Sequence, residues 1–172
     1  MTADIADRFV LPCGGVLKNR MCKAAMTEGV ADELNRATDR HVTLYRRWAK
    51  GGAGLLITGN VQVDRRYLER AGNLVIDGAQ GEEQLKRLEA MAQAGTEENT
   101  QLWMQISHAG RQTPALVNSE PVGPSSIALE LPGGRFGKPR ALQDDEIQGV
   151  IKRFAHTAEV AQQTGFSGVQ VH

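Results

Sequence analysis

Apolar positions recur along the chain at two spacings, and the alternation between them predicts the fold class. Two short apolar pieces flank Pro12-Cys13-Gly14-Gly15 and predict a small hairpin over 10–20, since Gly-Gly permits a tight reversal. Residues 21–26 read as a buried strand interrupted by Lys23. Val42, Tyr45, Trp48 and Ala49 share one helical face, predicting a helix over 38–50 that Thr38 caps and Gly51-Gly52 stops. A short apolar strand follows over 54–58. Leu85, Leu88, Met91 and Ala92 form the stripe of a second helix over 82–94, ended by Gly95. A third strand is predicted over 101–106. Helical spacing then runs from Ile147 through Ala161, giving a long helix over 144–163 ended by Gly165, and a fourth strand over 168–172.

Strands alternating with helices after a hairpin predict an α/β fold with parallel strands joined by crossovers. A doubly wound sheet and a (β/α)8 barrel both begin this way. No GxGxxG follows the first strand, which disfavours a dinucleotide-binding doubly wound domain. Residues 110–142 hold five of the six prolines and are too long for an ordinary connection, so they predict a functional or decorated loop.

Twenty basic and twenty acidic residues give zero formal charge, so nothing electrostatic points to nucleic acid or an anionic membrane as partner. Two cysteines without a Cys/His cluster argue against a disulfide or zinc framework. No secretory leader and no apolar stretch of bilayer length is present, so a cytoplasmic location is expected.

Each predicted strand ends in a polar residue: Thr27, then Asn60, then Gln105 with His108 slightly beyond, then His172. In parallel α/β folds the ligand site lies at the carboxyl ends of the strands. Strand ends are also polar simply because they emerge into solvent, and any one of these residues alone reads as a loop-edge residue. The four together suit a polar-headed cofactor as well as they suit solvent. Two distant histidines without a matching carboxylate make a poor metal set, so no metal is expected.

Three passages resemble the old yellow enzyme, or NADH:flavin oxidoreductase, family. They are Leu17-Lys18-Asn19-Arg20-Met21 with Ala24-Ala25-Met26-Thr27, Gln105-Ile106-Ser107-His108-Ala109-Gly110-Arg111-Gln112, and Gly165-Phe166-Ser167-Gly168-Val169-Gln170-Val171-His172. The segments Tyr45–Leu56 and Gly123-Pro124-Ser125-Ser126 support them. The resemblance implies a partial (β/α)8 TIM barrel, with residues 1–172 forming the hairpin and about the first four parallel strands of an FMN-binding domain. It implies that Ala24, Ala25, Met26 and Thr27 line the flavin, with Thr27 at its O4 and N5 edge, where a hydroxyl donor stabilises negative charge on the reduced ring. Asn60 falls at a flavin-adjacent position, and Gln105 matches the glutamine that bonds the pyrimidine edge. His172 matches the first of two residues that bind and polarise a substrate carbonyl. The implied reaction passes hydride from NADH or NADPH through FMN to an α,β-unsaturated carbonyl compound.

The sequence departs from the family at Ala25, where many members have proline, and at Gly59-Asn60, where an acidic-then-small pair is commoner. His108 reads as a residue that holds the long loop, Arg111 as one that pairs within the barrel, and Arg46-Arg47 and Arg65-Arg66 as solvated faces. The second carbonyl-binding residue, the tyrosine acid and the phosphate loops of the family fall beyond His172. Open edges are therefore expected on the first and fourth strands. The chain is expected to be half of a longer product, inactive without its C-terminal half. It could also be a half-barrel that pairs with a second copy or a separate C-terminal half, or an inactive remnant. The competing function is a non-catalytic half-barrel fragment or assembly module.

Overall fold

A computed structural model describes residues 2–131 and 133–172. Strands β1 (Phe9–Val10) and β2 (Val16–Leu17) pair antiparallel as the predicted hairpin. The Leu11 amide donates to Gly15 O at 2.8 Å, and Gly14 takes φ 86°, which glycine adopts without a Cβ penalty.

β3 (Cys22–Lys23) is shorter than the predicted 21–26 strand. Lys23 Nζ caps the Ile57 carbonyl at 2.7 Å and lies 4.2 Å over the Trp48 ring. The chain then leaves the sheet and lays residues 24–28 against the second strand. Helix α1 (Asp39–Ala49) follows its extended N-cap Thr38. Its buried face is His41, Tyr45 and Ala49, with Val42 and Trp48 packing at the flanks. His41 was not expected there; its Nδ1 accepts from the Thr38 amide at 3.1 Å, so the ring is paired although buried.

β4 (Leu55–Ile57) and β5 (Val61–Gln62) lie along the same neighbour in succession, and β6 (Leu74–Val75) pairs with β5. Helix α2 (Glu82–Gly95) includes the glycine expected to end it. A Cβ on Gly95 would overlap the Leu102 side chain, so the glycine here allows helix and strand to touch. β7 (Gln101–Ser107) is the longest strand. The 110–142 segment folds on itself through β8 (Val122–Gly123) pairing β9 (Arg140–Ala141), with a bridge from Pro114 to Phe136. Helix α3 (Asp144–Gln163) has the predicted bounds, and β10 (Gly168–Val171) closes the described chain.

The main sheet is parallel throughout, in the order β3–β4–β7, with β5 continuing beyond β4 along β7 and β10 on the other side of β7. This is the barrel segment expected: β3, then β4 with β5, then β7, then β10. Leu102, Met104 and Ile106 point to the helices and are at most 1% exposed. They join Leu56, Val61, Tyr45, Leu88, Met91, Val160 and Phe166 in one core. The alternating Trp103 and Gln105 face the other way, toward the barrel interior. Among the described residues β3 pairs only with β4 and β10 only with β7, so the outer edges of both are open. No helix among the described residues is long and apolar enough to cross a membrane.

Candidate active site at the strand ends

The second barrel strand is irregular where it matters. Ile57 pairs with Trp103 and Val61 with Ile106, so residues 58–60 oppose only residues 104–105. This is a β-bulge, a device that re-aims side chains next to functional sites. Thr58, 1% exposed, repairs the interrupted ladder: its amide donates to Trp103 O at 3.0 Å, and its hydroxyl oxygen accepts from the Gln105 amide at 2.9 Å.

The bulge is pinned from the 24–28 stretch. The Glu28 carboxylate accepts from the Gly59 amide at 2.9 Å and from the Tyr45 hydroxyl. A Cβ on Gly59 would overlap the Met26 carbonyl and the Glu28 carboxylate and lie 2.6 Å from Thr27 Cα. Glycine at 59 thus lets the two strand ends meet backbone to backbone. Burial, reinforced by the Glu28 charge, pushes the Tyr45 phenol well above its ordinary value, so it stays a donor. Burial likewise lowers the Lys23 ammonium, which Glu28 partly restores.

Thr27 and Asn60 are brought into contact, with Asn60 Nδ2 3.4 Å from Thr27 Oγ1. Thr27 donates its hydroxyl proton to Glu69 Oε2 at 3.1 Å. Ala24 and Met26 are exposed and Ala25 is half-buried. Gln105 is 7% exposed, and its Nε2 donates to Gln170 Oε1 on β10 at 2.7 Å. His172 stands two residues beyond Gln170, exposed, with its amide bonded to Ile106 O at 2.9 Å. A run of contacts therefore links Thr27 to Asn60, through the bulge to Gln105, and on to Gln170. Thr27 stands at one end of it, and His172 lies two residues beyond the other. Glu28, Tyr45, Glu69 and Gln170 were not singled out from the sequence, since their roles depend on which strands become neighbours.

His108 stacks on Tyr67 at 4.7 Å, and its Nδ1 accepts from the Gly110 amide at 3.0 Å, so it holds the start of the long loop. Burial pushes its imidazole below the usual histidine value. Arg46, Arg47, Arg65 and Arg66 are exposed as expected, and three of them also hold a carboxylate. Arg66 clamps Asp64, which is 2% exposed; Arg65 binds Asp77; and Arg46 binds Glu97. Buried Asp64 needs a counter-charge, and Arg66 and Arg153 supply it. Burial alone would raise the Asp64 carboxyl, but the Arg66 hydrogen bonds outweigh it and hold the group below its usual range. Arg111, expected to pair within the barrel, is exposed and reaches only the Ile127 carbonyl at 3.4 Å.

Residues 14–172 match the model of the NADH:flavin oxidoreductase / NADH oxidase family. The NADH-dependent flavin oxidoreductase iliE of Hypocrea jecorina is 37% identical over 95% of this chain and 45% of its own length. The NADH:fumarate oxidoreductase of Klebsiella pneumoniae is 34% identical over 98% of this chain and 18% of its own. An old yellow enzyme homologue from Zymomonas mobilis superimposes with a TM-score of 0.85 at 25% identity, over 99% of this chain and 48% of that one. The chain thus spans less than half the length of these relatives. The family match over nearly its whole extent, together with the half-barrel it folds into, establishes that this chain belongs to the NADH:flavin oxidoreductase / NADH oxidase family.

Proposed function

We propose that residues 1–172 form the N-terminal half of an FMN-binding barrel that moves hydride from NADH or NADPH to an α,β-unsaturated carbonyl acceptor. The observation that carries this is the set of polar contacts across the carboxyl ends of neighbouring parallel strands: Asn60 on Thr27, Thr58 on the Gln105 amide, and the Gln105 side chain on Gln170. Ligand sites of such folds lie at those ends. The names of the relatives favour NADH as reductant.

FMN fits the donor set. With one N–H of Gln105 given to Gln170, the amide keeps a second N–H and its Oε1, a donor beside an acceptor. That is the complement of an imide edge such as the flavin pyrimidine presents. Residues 24–27 would lie along the ring, Thr27 and Asn60 near its O4 and N5 edge, and Gln105 at its pyrimidine side. FMN bound there would supply a two-electron carrier between nicotinamide and acceptor. His172 would hold the acceptor's carbonyl oxygen and stabilise the charge that develops on it. Besides the reductant, this chemistry takes a small-molecule acceptor as its partner.

Completion of the barrel is part of the proposal. The open edges of β3 and β10 would be covered by a C-terminal half or by a second copy of the chain. A non-catalytic half-barrel module is the second reading. It is favoured by the apolar residues Ile147 and Ile151 on α3 and Val171 on β10, which are 39%, 54% and 73% exposed and suit an assembly surface.

Titration of the purified chain with FMN, followed by flavin fluorescence, tests the first reading. Gln105→Ala should weaken FMN binding about tenfold, the span of one or two lost hydrogen bonds. His172→Ala should leave FMN binding intact and weaken phenolic ligands of the loaded protein. Wild-type FMN affinity in Gln105→Ala, or no FMN binding by the parent chain with or without a C-terminal half, would reject it.

A further inference from the structure

The Thr27 hydroxyl has a single proton, and that proton is already given away. It goes to Glu69 Oε2 at 3.1 Å, while Asn60 Nδ2 donates toward Thr27 Oγ1 itself at 3.4 Å. The Glu69 carboxylate is divided between two tasks. Its Oε1 is clamped by Arg70, from Nε at 2.9 Å and Nη2 at 2.7 Å, which leaves Oε2 aimed at Thr27. The Arg70 amide is in turn held by Asn73 Oδ1 at 2.8 Å, and Asn73 is 1% exposed. On its other side Glu69 lines an open cavity of about 810 Å³ whose walls include Pro114, Leu116 and Phe136. Glu69 thus stands between a solvent-reachable cavity and the residue that faces the flavin in the proposed site.

We infer that Glu69 is a positioning residue that turns the Thr27 hydroxyl proton away from the cofactor and so sets how strongly the site favours reduced over oxidised flavin. This rests on the proposed placement of Thr27 at the flavin edge. A hydroxyl that donates to Glu69 presents the ring with a lone pair instead of a proton. The electron-rich reduced ring then lacks a donor that it would otherwise have. Removing the acceptor frees the proton to turn toward the ring, and reduced flavin gains more from it than oxidised flavin does. The pairing with Arg70 keeps Glu69 ionised, so the acceptor is present at neutral pH. Burial would raise the Glu69 carboxyl, but the Arg70 and Thr27 hydrogen bonds more than offset it and hold the group below its usual range.

The test compares the dissociation constants of oxidised and reduced FMN for the full chain, measured anaerobically. Glu69→Ala should shift their ratio about three- to tenfold toward the reduced form, the size of one hydrogen bond. Glu69→Gln removes the charge but keeps a carbonyl acceptor, so its ratio should lie close to the parent's. In a Thr27→Val background Glu69→Ala should have no further effect. A ratio unchanged in Glu69→Ala, an equal shift in Glu69→Gln, or a shift that persists without Thr27 overturns the inference while leaving FMN binding in place. A flavin-free measurement separates the two layers. The Glu69 carboxyl, followed by ¹³C NMR, should titrate higher in Thr27→Val than in the parent, and an unchanged midpoint overturns the hydrogen bond itself. If that midpoint rises but Thr27→Val leaves the flavin ratio untouched, the placement of Thr27 at the ring fails. Absence of FMN binding by the parent chain sinks the functional reading and the role of Glu69 with it.

Discussion

Replacing Gly59 by alanine adds one methyl group at the point where two strand ends touch. The added Cβ would overlap the Met26 carbonyl and the Glu28 carboxylate and stand 2.6 Å from Thr27 Cα. Two of these three atoms are backbone and cannot swing aside. Overpacking of this kind costs about 1–3 kcal/mol. Loss of glycine freedom in the unfolded chain returns about 0.4–1 kcal/mol. The net expectation is a loss of about 1–2 kcal/mol, which lowers a urea midpoint by about 0.5–1 M at an ordinary slope. Gly149 is the internal control. It lies inside α3, and a Cβ there meets nothing within 4 Å. Gly149→Ala should therefore stabilise by about 0.5–1 kcal/mol, the usual helix preference for alanine. The two substitutions are chemically identical and should have opposite signs. Gly59→Ala should also weaken FMN binding, since Thr27 and Asn60 are displaced together. A Gly59→Ala midpoint equal to or above the parent's, or a larger loss in Gly149→Ala, would refute the close approach on which the site is built.

Asp64→Ala should destabilise the chain by about 1–3 kcal/mol in urea unfolding, because it leaves Arg66 and Arg153 without their shared acceptor. The figure stays modest because the Arg66 side chain is 60% exposed and solvent screens the loss. The depressed Asp64 carboxyl contributes stability that is complete above the unfolded value of about 3.9 and is lost as pH falls through the folded one, so Asp64→Ala should flatten the acid limb of the stability curve. Burial pushes the imidazoles of His41 and His108 below about 6.5, so the unfolded chain takes up protons first as the pH drops. Their contribution is complete above pH 6.5 or so and fades below it; urea midpoints should fall between about pH 7 and pH 5.5, and His108→Phe, which keeps a ring against Tyr67, should reduce that slope. A midpoint flat across that interval would place both imidazoles in contact with water.

The elements with a complete amphipathic period were legible. Helix α3 has the predicted bounds, and the stripe of α2 is the one that packs. Each has enough turns for the 3.6-residue period to declare itself. β5 and β6 escaped because two-residue strands carry no period at all. The 21–26 strand is predicted too long because its residues on both sides of Lys23 are apolar, whereas the strand ends where Lys23 caps the Ile57 carbonyl. Within the site, Thr27, Asn60, Gln105 and His172 could be named because each follows an apolar run. Glu28, Glu69 and Gln170 could not, because their partners lie on segments whose adjacency only the fold supplies. Gly59-Asn60 was visible as a departure from the family pattern. The bulge that gives that departure a geometric meaning was not visible, since it depends on the register against β7.

The two faces of the sheet stand on different footings, and that bears on how function and stability separate. The helix-side face is closed by α1, α2 and α3, and Leu102, Met104 and Ile106 are each at most 1% exposed there. Nothing beyond these residues is needed to bury that core. The interior face carries Gln105, Gln170 and the strand ends, with open edges at β3 and β10. Exposed apolar residues lie on α3 at Ile147 and Ile151 and on β10 at Val171, and also at Phe9, Val10, Met21 and Met26 around the hairpin and β3. Excluding water from the interior face would strengthen every polar contact on it, since such contacts gain strength as the local dielectric falls. The polar contacts from Thr27 to Gln170 are therefore positioned by a core that is buried among the described residues.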